Sequence, residues 1–223
     1  MMRKLRAAAL MITALFPWPV RCTLLNALFG WQVDRSARIG WSLFMGVRRV
    51  RLGPRARIGH FTVFRDLNHL ELGADSSIGQ WNWITAAREL LATPGGDEAG
   101  VLMIGEHSAV TSRHYLDCTG GVTVGAFSTV AGVRSTIFTH QIDISQSRQV
   151  WRPVRIGRYC YIGSDVCIAP GSSIPDRCAI AMGSVVAGVL EEPGMLYGGV
   201  PARPIKELGK AAYFSRKKGY VQP

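Results

Sequence analysis

Residues 156–187 of the chain read IGRYCYIGSDVCIAPGSSIPDRCAIAMGSVVA. An aliphatic residue recurs at every sixth position of this stretch without a break, at Ile156, Ile162, Ile168, Ile174, Ile180 and Val186. An amphipathic helix would repeat its apolar residues about every 3.6 positions, and a half-buried strand would repeat them at every second position. A period of six fits neither. It predicts short strands that follow one another as the units of an internal repeat.

The same frame extends through most of the chain toward its N-terminus. Its upstream apolar positions are Val33, Ile39, Leu52, Ile58, Phe64, Leu72, Ile78, Ile84, Ile104, Val110, Leu116, Val124 and Val130. The step widens from six residues to eight between Phe64 and Leu72, and again between Leu116 and Val124. We therefore expect three repeats to form one turn of a three-sided coil, with the apolar side chains stacked in a narrow interior.

The extent of this frame divides the chain into three parts. We expect an N-terminal helical segment over residues 1–32, an all-β solenoid over residues 33–192 and a C-terminal tail with a helix over residues 193–223. Two stretches inside the solenoid break the rhythm and are predicted to leave the coil as loops. They are residues 88–103, with the turn-rich cluster TPGGD at positions 93–97, and residues 141–153.

The N-terminal segment places three basic residues within its first six positions, before an apolar stretch over residues 7–20. That stretch is too short to cross a bilayer comfortably as a helix, and Pro17 and Pro19 interrupt its end. The pattern favours an amphipathic helix packed on the end of the domain. A helix that rests on a membrane surface is the alternative.

The net charge of +11 would attract any anionic partner. The basic residues are scattered along the chain and form no run, so we expect no nucleic-acid partner. The five cysteines are odd in number and include no CxxC pair, which argues against a disulfide framework or a zinc site. We interpret Cys160 and Cys167 as buried, reduced thiols of a cytoplasmic protein.

Two motifs carry a family resemblance. The first is the repeat [LIV]-[GA]-x-x-small-x, and the second is the segment YGGVPARPIK at positions 197–206, so that the resemblance covers about residues 33–208. Together they resemble the hexapeptide-repeat acyltransferases, with the galactoside, maltose and xenobiotic O-acetyltransferases closest by pattern. The resemblance implies a left-handed parallel β-helix, a homotrimer, and acetyl-CoA as co-substrate. The handedness comes from the resemblance alone, because ordinary parallel crossovers are right-handed.

No metal is expected under this resemblance. The γ-class carbonic anhydrases share the fold but need three zinc-binding histidines, two of them closely spaced. This sequence contains no H-x₄-H pair.

The resemblance implies a catalytic histidine at the end of a coil, and His140 stands where the repeat fails before residues 141–153. A neutral alcohol is a weak nucleophile, so acyl transfer to it needs a base, and histidine suits that task near neutral pH. Asp117 matches an aspartate of the sugar acetyltransferases, which implies that it binds the acceptor or supports the histidine. The alternative is that Asp117 stabilises the turn into Thr119-Gly120-Gly121.

The resemblance also implies which residues contact acetyl-CoA. Tyr161 and Ser164 would lie beside the pantetheine arm, with Met182 and Gly183 along it. Arg203 and Lys206 would approach the phosphates, for which cationic side chains are suited. Ala187-Gly188 stands where many relatives have Thr-Lys, which removes one expected phosphate contact.

Three further residues are candidates for acceptor binding. His114 lies one coil before His140 and could line the same cleft, and Arg113 adjoins it in sequence. Trp151 lies in the stretch that interrupts the repeat after His140.

The sequence therefore predicts an acetyl-CoA-dependent O-acetyltransferase that modifies a hydroxyl of a sugar or glycan. We expect it to serve polysaccharide biosynthesis in the cytoplasm or at the inner face of the membrane. The alternatives are an N-acyltransferase on an amino sugar, a xenobiotic (antibiotic) acetyltransferase, and a catalytically silent β-helix that serves assembly. The presence of both His140 and the GGVPAR segment argues against a silent protein.

Overall fold

The computed structural model describes residues 2–92, 97–219 and 221. Most of the predicted turn cluster, residues 93–96, lies outside the described residues. Two α-helices come first, α1 (Met2–Thr13) and α2 (Trp18–Phe29). Pro17 precedes α2, and Gly30 ends it in the left-handed conformation with a φ of 66°. Helix α1 packs against α2 and against residues 43–45. The structure thus has two helices where the sequence pattern suggested one.

Short strands follow the helices. In chain order the first are β1 (Gln32–Val33), β2 (Arg38–Ile39), β3 (Leu43–Met45), β4 (Arg49–Leu52), β5 (Arg57–Ile58), β6 (Val63–Arg65), β7 (His69–Leu72), β8 (Ser77–Ile78), β9 (Trp83–Thr85), β10 (Val101–Ile104), β11 (Ala109–Val110) and β12 (Tyr115–Asp117). The others are β13 (Val122–Val124), β14 (Thr129–Val130), β15 (Thr136–Ile137), β16 (His140–Asp143), β17 (Arg148–Trp151), β18 (Val154–Ile156), β19 (Tyr161–Ile162), β20 (Cys167–Ile168), β21 (Ser173–Ile174), β22 (Ala179–Ile180), β23 (Val185–Val186), β24 (Met195–Gly198) and β25 (Arg203–Glu207).

Consecutive strands enter three sheets in rotation. The first sheet has the order β1-β4-β7-β10-β13-β18-β21, the second β2-β5-β8-β11-β14-β19-β22-β24-β25, and the third β3-β6-β9-β12-β15-β20-β23. Within these three sheets, each strand pairs in parallel with the strand one coil further on, apart from the antiparallel pair β24–β25. The predicted arrangement of short parallel strands is confirmed.

Two corners of this three-sided coil matter for the site. The chain passes from the second sheet to the third through residues 111–114, and we call this edge the sheet 2–3 corner. It passes from the third sheet to the first through residues 118–121, and we call this edge the sheet 3–1 corner. Both eight-residue steps of the sequence frame run through the sheet 3–1 corner, where Leu67 and Cys118 add further buried side chains.

The core is the interior of the coil. Every apolar residue of the six-residue frame is buried there. The small residues that follow them allow successive coils to approach closely. A Cβ atom at Gly59, for example, would lie only 2.7 Å from the backbone of Gly79. The predicted burial of the thiols is confirmed for Cys160, but Cys167 is partly exposed because its side chain lies on the outer surface of the third sheet.

Described residues of both predicted loops form regular secondary structure. A 3₁₀ turn occupies Leu90–Ala92, and β10 begins at Val101, so the expectation of a loop through residue 103 was wrong. Residues 141–153 contain most of an antiparallel hairpin formed by β16 and β17. Backbone hydrogen bonds within the hairpin satisfy groups that would otherwise have to face water.

The C-terminal tail differs most from the expectation. The predicted helix is wrong for the described tail residues, which contain β24, β25 and only a 3₁₀ turn at Ala212–Ser215. The coil extends beyond residue 192, because β24 joins the second sheet and buries Tyr197. Pro204 lies in the edge strand β25, where a residue without an N–H is tolerated better than inside a helix. Among the described residues, no helix combines the length and apolarity needed for a membrane span.

Candidate active site

Asp117 and His140 meet at the sheet 3–1 corner. Asp117 ends β12, and His140 follows β15, which is the next strand of the third sheet. The two strands are in register, with Leu116 opposite Ile137. This pairing brings the Nδ1 atom of His140 to 2.7 Å from the Oδ2 atom of Asp117. The two residues that the sequence proposed as catalytic are therefore in direct contact.

The carboxylate of Asp117 is buried and accepts several hydrogen bonds. The backbone N–H and hydroxyl of Thr119 donate to Oδ1, over 3.1 Å and 2.5 Å. The backbone N–H groups of Thr139 and His140 donate to Oδ2, over 2.7 Å and 3.0 Å. Burial alone would raise the pKa of Asp117, but the hydrogen bonds from Thr119, Thr139 and His140 outweigh it and hold the pKa below its ordinary value.

The ionised carboxylate determines the tautomer of His140. An ionised carboxylate can only accept hydrogen bonds, so the proton of the neutral imidazole resides on Nδ1. The lone pair is then on Nε2, for which no hydrogen-bond partner occurs among the described residues. The side chain of His140 is 31% exposed, which allows an acceptor molecule to approach it. This arrangement can accept a proton from a bound hydroxyl group.

The turn interpretation of Asp117 is also supported. Its Oδ1 atom holds the start of the turn at Thr119, while its Oδ2 atom holds Thr139 and the imidazole. The hydroxyl of Thr139 receives a hydrogen bond from the backbone N–H of Gly120 over 2.8 Å. The carboxylate of Asp117 therefore both stabilises the turn at this corner and orients the ring of His140. Thr119 and Thr139 were not singled out from the sequence, where short polar residues beside turns are common.

The hairpin places Trp151 beside His140. The two residues are opposite each other in the β16–β17 register, and Trp151 is partly exposed. On the outer surface of the third sheet, the rings of Tyr115 and Phe138 lie 5.7 Å apart between centroids, and Phe138 is 38% exposed. Sequence analysis missed these two aromatic residues. The signal that could have identified Tyr115 as outward-facing is its position directly before the frame residue Leu116. Phe138 directly follows Ile137, which is the strand partner of Leu116.

His114 is not part of this arrangement. It lies at the sheet 2–3 corner, where it is only 2% exposed. Its Nδ1 atom accepts a hydrogen bond from the backbone N–H of Ser135 over 3.1 Å, and its Nε2 atom lies 2.9 Å from the hydroxyl of Thr111. Burial lowers the pKa of His114 to about 4, so the ring is neutral at pH 7. The expectation that His114 lines the cleft of His140 was wrong within one chain, because its ring is enclosed at a different corner.

Arg113 shares the sheet 2–3 corner with His114 but is exposed there, in a backbone conformation with a φ of 61°. Within one chain, the third sheet separates Arg113 from His140. Of the three proposed acceptor-binding residues, only Trp151 is thus beside the Asp117–His140 pair. Within the described part of the chain, no three His, Cys, Asp or Glu residues gather as a metal site would require.

The residues proposed for acetyl-CoA gather on the second sheet and its corner with the third. Tyr161 is 43% exposed on β19, and strand register connects it through β22 and β24 to Lys206 on β25. Arg203 is exposed on the same edge strand. Met182 is 71% exposed, and the backbone N–H of the adjacent Gly183 donates to the carbonyl of Ser164 over 3.0 Å.

The proposed cofactor residues and the proposed base therefore lie at different corners of one chain. Ser164 and Gly183 mark the sheet 2–3 corner near the C-terminal end of the coil, whereas His140 marks the sheet 3–1 corner. The width of the third sheet separates the two groups. The exposed cations on β25 fit an anionic ligand chemically, since Arg and Lys form strong charge-assisted contacts with phosphate.

Comparison with known proteins finds acyltransferases among the proteins that the chain is similar to. Galactoside O-acetyltransferase of Escherichia coli is 39% identical to the chain over 69 residues, which make up 30% of this chain. The match covers 34% of that enzyme, or about one third of its length. No family model matches the sequence.

Three solved structures share the fold at low sequence identity. A polysialic acid O-acetyltransferase has a TM-score of 0.54 and 17% identity, over 84% of this chain and 93% of its own. A mutant of an N-acyltransferase from Bacillus cereus, in complex with an amino sugar nucleotide and coenzyme A, has a TM-score of 0.52 and 18% identity, over 77% and 82%. A hexapeptide-repeat acetyltransferase from Vibrio cholerae O1 biovar eltor, complexed with acetyl coenzyme A, has a TM-score of 0.50 and 19% identity, over 94% and 88%.

These similarities confirm the resemblance to hexapeptide-repeat acyltransferases. The likeness extends to sequence over the 69 aligned residues and to fold over most of the chain.

Proposed function

We propose that this chain is an acyltransferase that moves an acetyl group from acetyl-CoA to a hydroxyl group of a sugar or glycan, with His140 as the general base. The observation that carries the proposal is the contact between Asp117 and Nδ1 of His140, which directs the lone pair of Nε2 outward. The similarity to a galactoside O-acetyltransferase supports the choice of a sugar hydroxyl.

In the proposed reaction, Nε2 of His140 takes the proton of the acceptor hydroxyl while its oxygen attacks the thioester carbonyl carbon. The carbon–sulfur bond then breaks, and the CoA sulfur leaves as a thiolate that receives the proton from His140. The products are an acetyl ester and free CoA. Asp117 holds the imidazole in the required tautomer and stabilises the imidazolium that forms transiently.

Acetyl-CoA would bind along the second sheet. Arg203 and Lys206 would contact its phosphates, and Tyr161, Ser164, Met182 and Gly183 would follow the pantetheine arm toward the sheet 2–3 corner. Acetyl-CoA supplies the activated acyl group. The residues of the chain orient acetyl-CoA and transfer the proton.

The proposal extends to handedness, assembly and location. We take the coil to be left-handed and the protein to be a homotrimer, as in the family that it resembles. A trimer is supported by the separation of the two residue groups, since a neighbouring chain packed along the third sheet could bring its CoA residues to His140. The five free thiols support a cytoplasmic location. A monomer in light scattering at working concentrations would contradict the trimer.

The activity can be tested with a panel of acceptors. Purified protein is incubated with acetyl-CoA and with sugars, oligosaccharides, amino sugars or antibiotics, and release of the CoA thiol is recorded. We expect release that depends on a sugar hydroxyl and that is lost in His140→Ala. A strict requirement for an acceptor amine would instead identify an N-acyltransferase, and binding of acetyl-CoA without turnover on any acceptor would favour a silent protein.

A further inference from the structure

The net positive charge of the chain is concentrated at one end. Residues 1–66 contain twelve Lys or Arg residues and only two acidic residues, Asp34 and Asp66, a surplus of ten within a chain whose total is +11. These residues form α1, α2 and the first two coils. The next coil offsets only part of this charge. Its Asp75, for example, pairs with Arg55 over 2.5 Å. The N-terminal end is therefore strongly cationic, and the rest of the molecule is nearly neutral.

The same end exposes an apolar helix face. Leu10 and Thr13 of α1 are buried against the body of the protein. The side of α1 that points away from the body, and the turn after it, are formed by apolar residues with large exposed fractions. These are Leu5 (62%), Met11 (58%), Ile12 (57%), Leu15 (73%) and Phe16 (45%).

A helix on the surface of a soluble protein normally directs polar residues outward, and α1 does the opposite. Ala8 and Ala9 are also exposed on this helix, and no acidic residue occurs before Asp34. A contiguous exposed apolar face of this kind marks a surface that something covers. We call it the α1 face, defined by the exposed residues 5, 8, 9, 11, 12, 15 and 16.

The combination of charge and apolar exposure selects the occupant. A glycan or a nucleic acid would satisfy the cations but would leave the aliphatic side chains uncovered. A second copy of this end would cover the apolar side chains but would bring two strongly cationic surfaces together, which is unfavourable. An anionic bilayer satisfies both features, since its headgroups attract basic residues and its acyl boundary accepts an apolar helix face.

We infer that the N-terminal end of this protein docks on the surface of an anionic lipid bilayer, with α1 lying in the plane of the interface. At about 1.5 Å per residue, α1 is about 18 Å long, well short of the ~30 Å hydrocarbon core. The helix therefore binds along the surface. The inference rests on α1 and on the charge distribution, and it holds whatever reaction the site performs.

Vesicle flotation of the full-length protein tests the inference without any substrate. One vesicle preparation is phosphatidylcholine with phosphatidylglycerol at a molar ratio of 7:3, and the other is phosphatidylcholine alone. We expect the protein to float with the anionic vesicles and much less with the neutral ones. Binding should weaken as NaCl rises from about 0.1 M toward 1 M, because the Debye length falls from about 10 Å to about 3 Å.

Two double variants distinguish vesicle binding through the α1 face from nonspecific binding through other exposed apolar residues. The double variant Ile12→Ser, Leu15→Ser should bind anionic vesicles at least about tenfold more weakly, because two apolar side chains no longer enter the acyl boundary. The matched control Val189→Ser, Val221→Ser changes residues with similar exposed fractions, 61% and 65%, outside the N-terminal end and should bind like the wild type. Circular dichroism confirms that both variants are folded.

Several outcomes would overturn the inference. The first is that the wild type does not float with anionic vesicles. The second is that it binds both vesicle preparations equally and independently of salt. The third is that the Val189, Val221 control variant loses as much vesicle binding as the Ile12, Leu15 variant. If the wild type does not float and light scattering shows that only the Ile12, Leu15 variant has lost an assembled state, the α1 face contacts a second copy. Because no acyl transfer is measured, these results are independent of the proposed activity.

Discussion

His140 and His114 lie at different corners of the same coil and have opposite environments. His114 is enclosed at the sheet 2–3 corner, where both ring nitrogens lie within hydrogen-bond distance of protein groups. His140 is partly exposed at the sheet 3–1 corner, where Nδ1 contacts the carboxylate of Asp117. The comparison shows how the fold makes one histidine structural and the other available for chemistry. A buried anion at one ring nitrogen and an accessible lone pair at the other make the difference.

The largest expected effect comes from removing the imidazole at the sheet 3–1 corner. His140→Ala should lower turnover at least about a hundredfold, because general base catalysis typically contributes about 10²–10⁴ in rate. Acetyl-CoA affinity, measured by calorimetry, should stay near the wild-type value, since the base does not hold the thioester. The counterpart His114→Asn, assayed on folded protein, should retain turnover. Unchanged turnover in His140→Ala would rule out the mechanism.

Replacing the carboxylate should have the next largest effect. Asp117→Asn removes the negative charge and can turn an amide N–H toward Nδ1, which favours the tautomer with its proton on Nε2. We expect turnover to fall by about tenfold to a hundredfold, with little change in KM for acetyl-CoA. A lower melting temperature with unchanged turnover would show that Asp117 only shapes the corner.

At the sheet 2–3 corner, we expect His114 to affect the stability of the protein and not its turnover. The pKa of His114 is lowered to about 4 by burial, whereas an unfolded histidine titrates near 6.5. As the pH falls through this interval, the unfolded chain binds a proton that the folded chain excludes. The free energy of unfolding should thus decrease by up to about 3 kcal/mol. This contribution is fully present above about pH 6.5.

Urea unfolding of the wild type and of His114→Asn at pH 7 and at pH 4.5 measures this contribution. The variant should show a clearly smaller change between the two pH values, because the other titrating groups are common to both proteins. Parallel pH dependence in the two proteins would show that His114 is not the group responsible.

The smallest effect is expected at the C-terminal edge of the second sheet. Arg203→Ala combined with Lys206→Ala should raise KM for acetyl-CoA about threefold to tenfold and leave kcat nearly unchanged, because contacts far from the reacting carbonyl act on ground and transition states alike. The difference in KM between the wild type and the double variant should become smaller at high salt. The control Arg177→Ala, Lys210→Ala removes the same charge elsewhere. Equal CoA affinities of the wild type and the Arg203, Lys206 variant would remove both residues from the site.

The sequence predicted the coil more accurately than the segments attached to it. The six-residue frame identified the interior positions because each frame residue faces inward whatever lies further along the chain, as Ile168 and Val130 show. The tail gave a basic, helix-like pattern, yet residues 203–207 form an edge strand. The open edge of β24 offered hydrogen bonds that local propensity does not register. The hairpin that begins at His140 was missed because its two strands pair only with each other and do not continue the six-residue frame.

The site was predicted in part. His140 and Asp117 were proposed from the resemblance to hexapeptide-repeat acyltransferases, which the failure of the repeat after His140 supported, and the strand register places the two residues side by side. Within one chain, His114 does not line the cleft of His140, because linear spacing does not tell at which corner of a coil a residue lies. Tyr115 and Phe138 were missed because an outward-facing aromatic residue becomes informative only when its neighbours across strands are known.

By itself, the sequence determined the period, the interior column and the distribution of charge, since each of these depends on residue identity and spacing alone. The tertiary structure decided which polar groups are enclosed and which are open. It buried His114 between Thr111 and Ser135, aimed Nε2 of His140 outward by fixing Nδ1, and turned the apolar face of α1 away from the body. Burial and exposure are set by what packs against a residue, and that information is shared among segments distant in the chain.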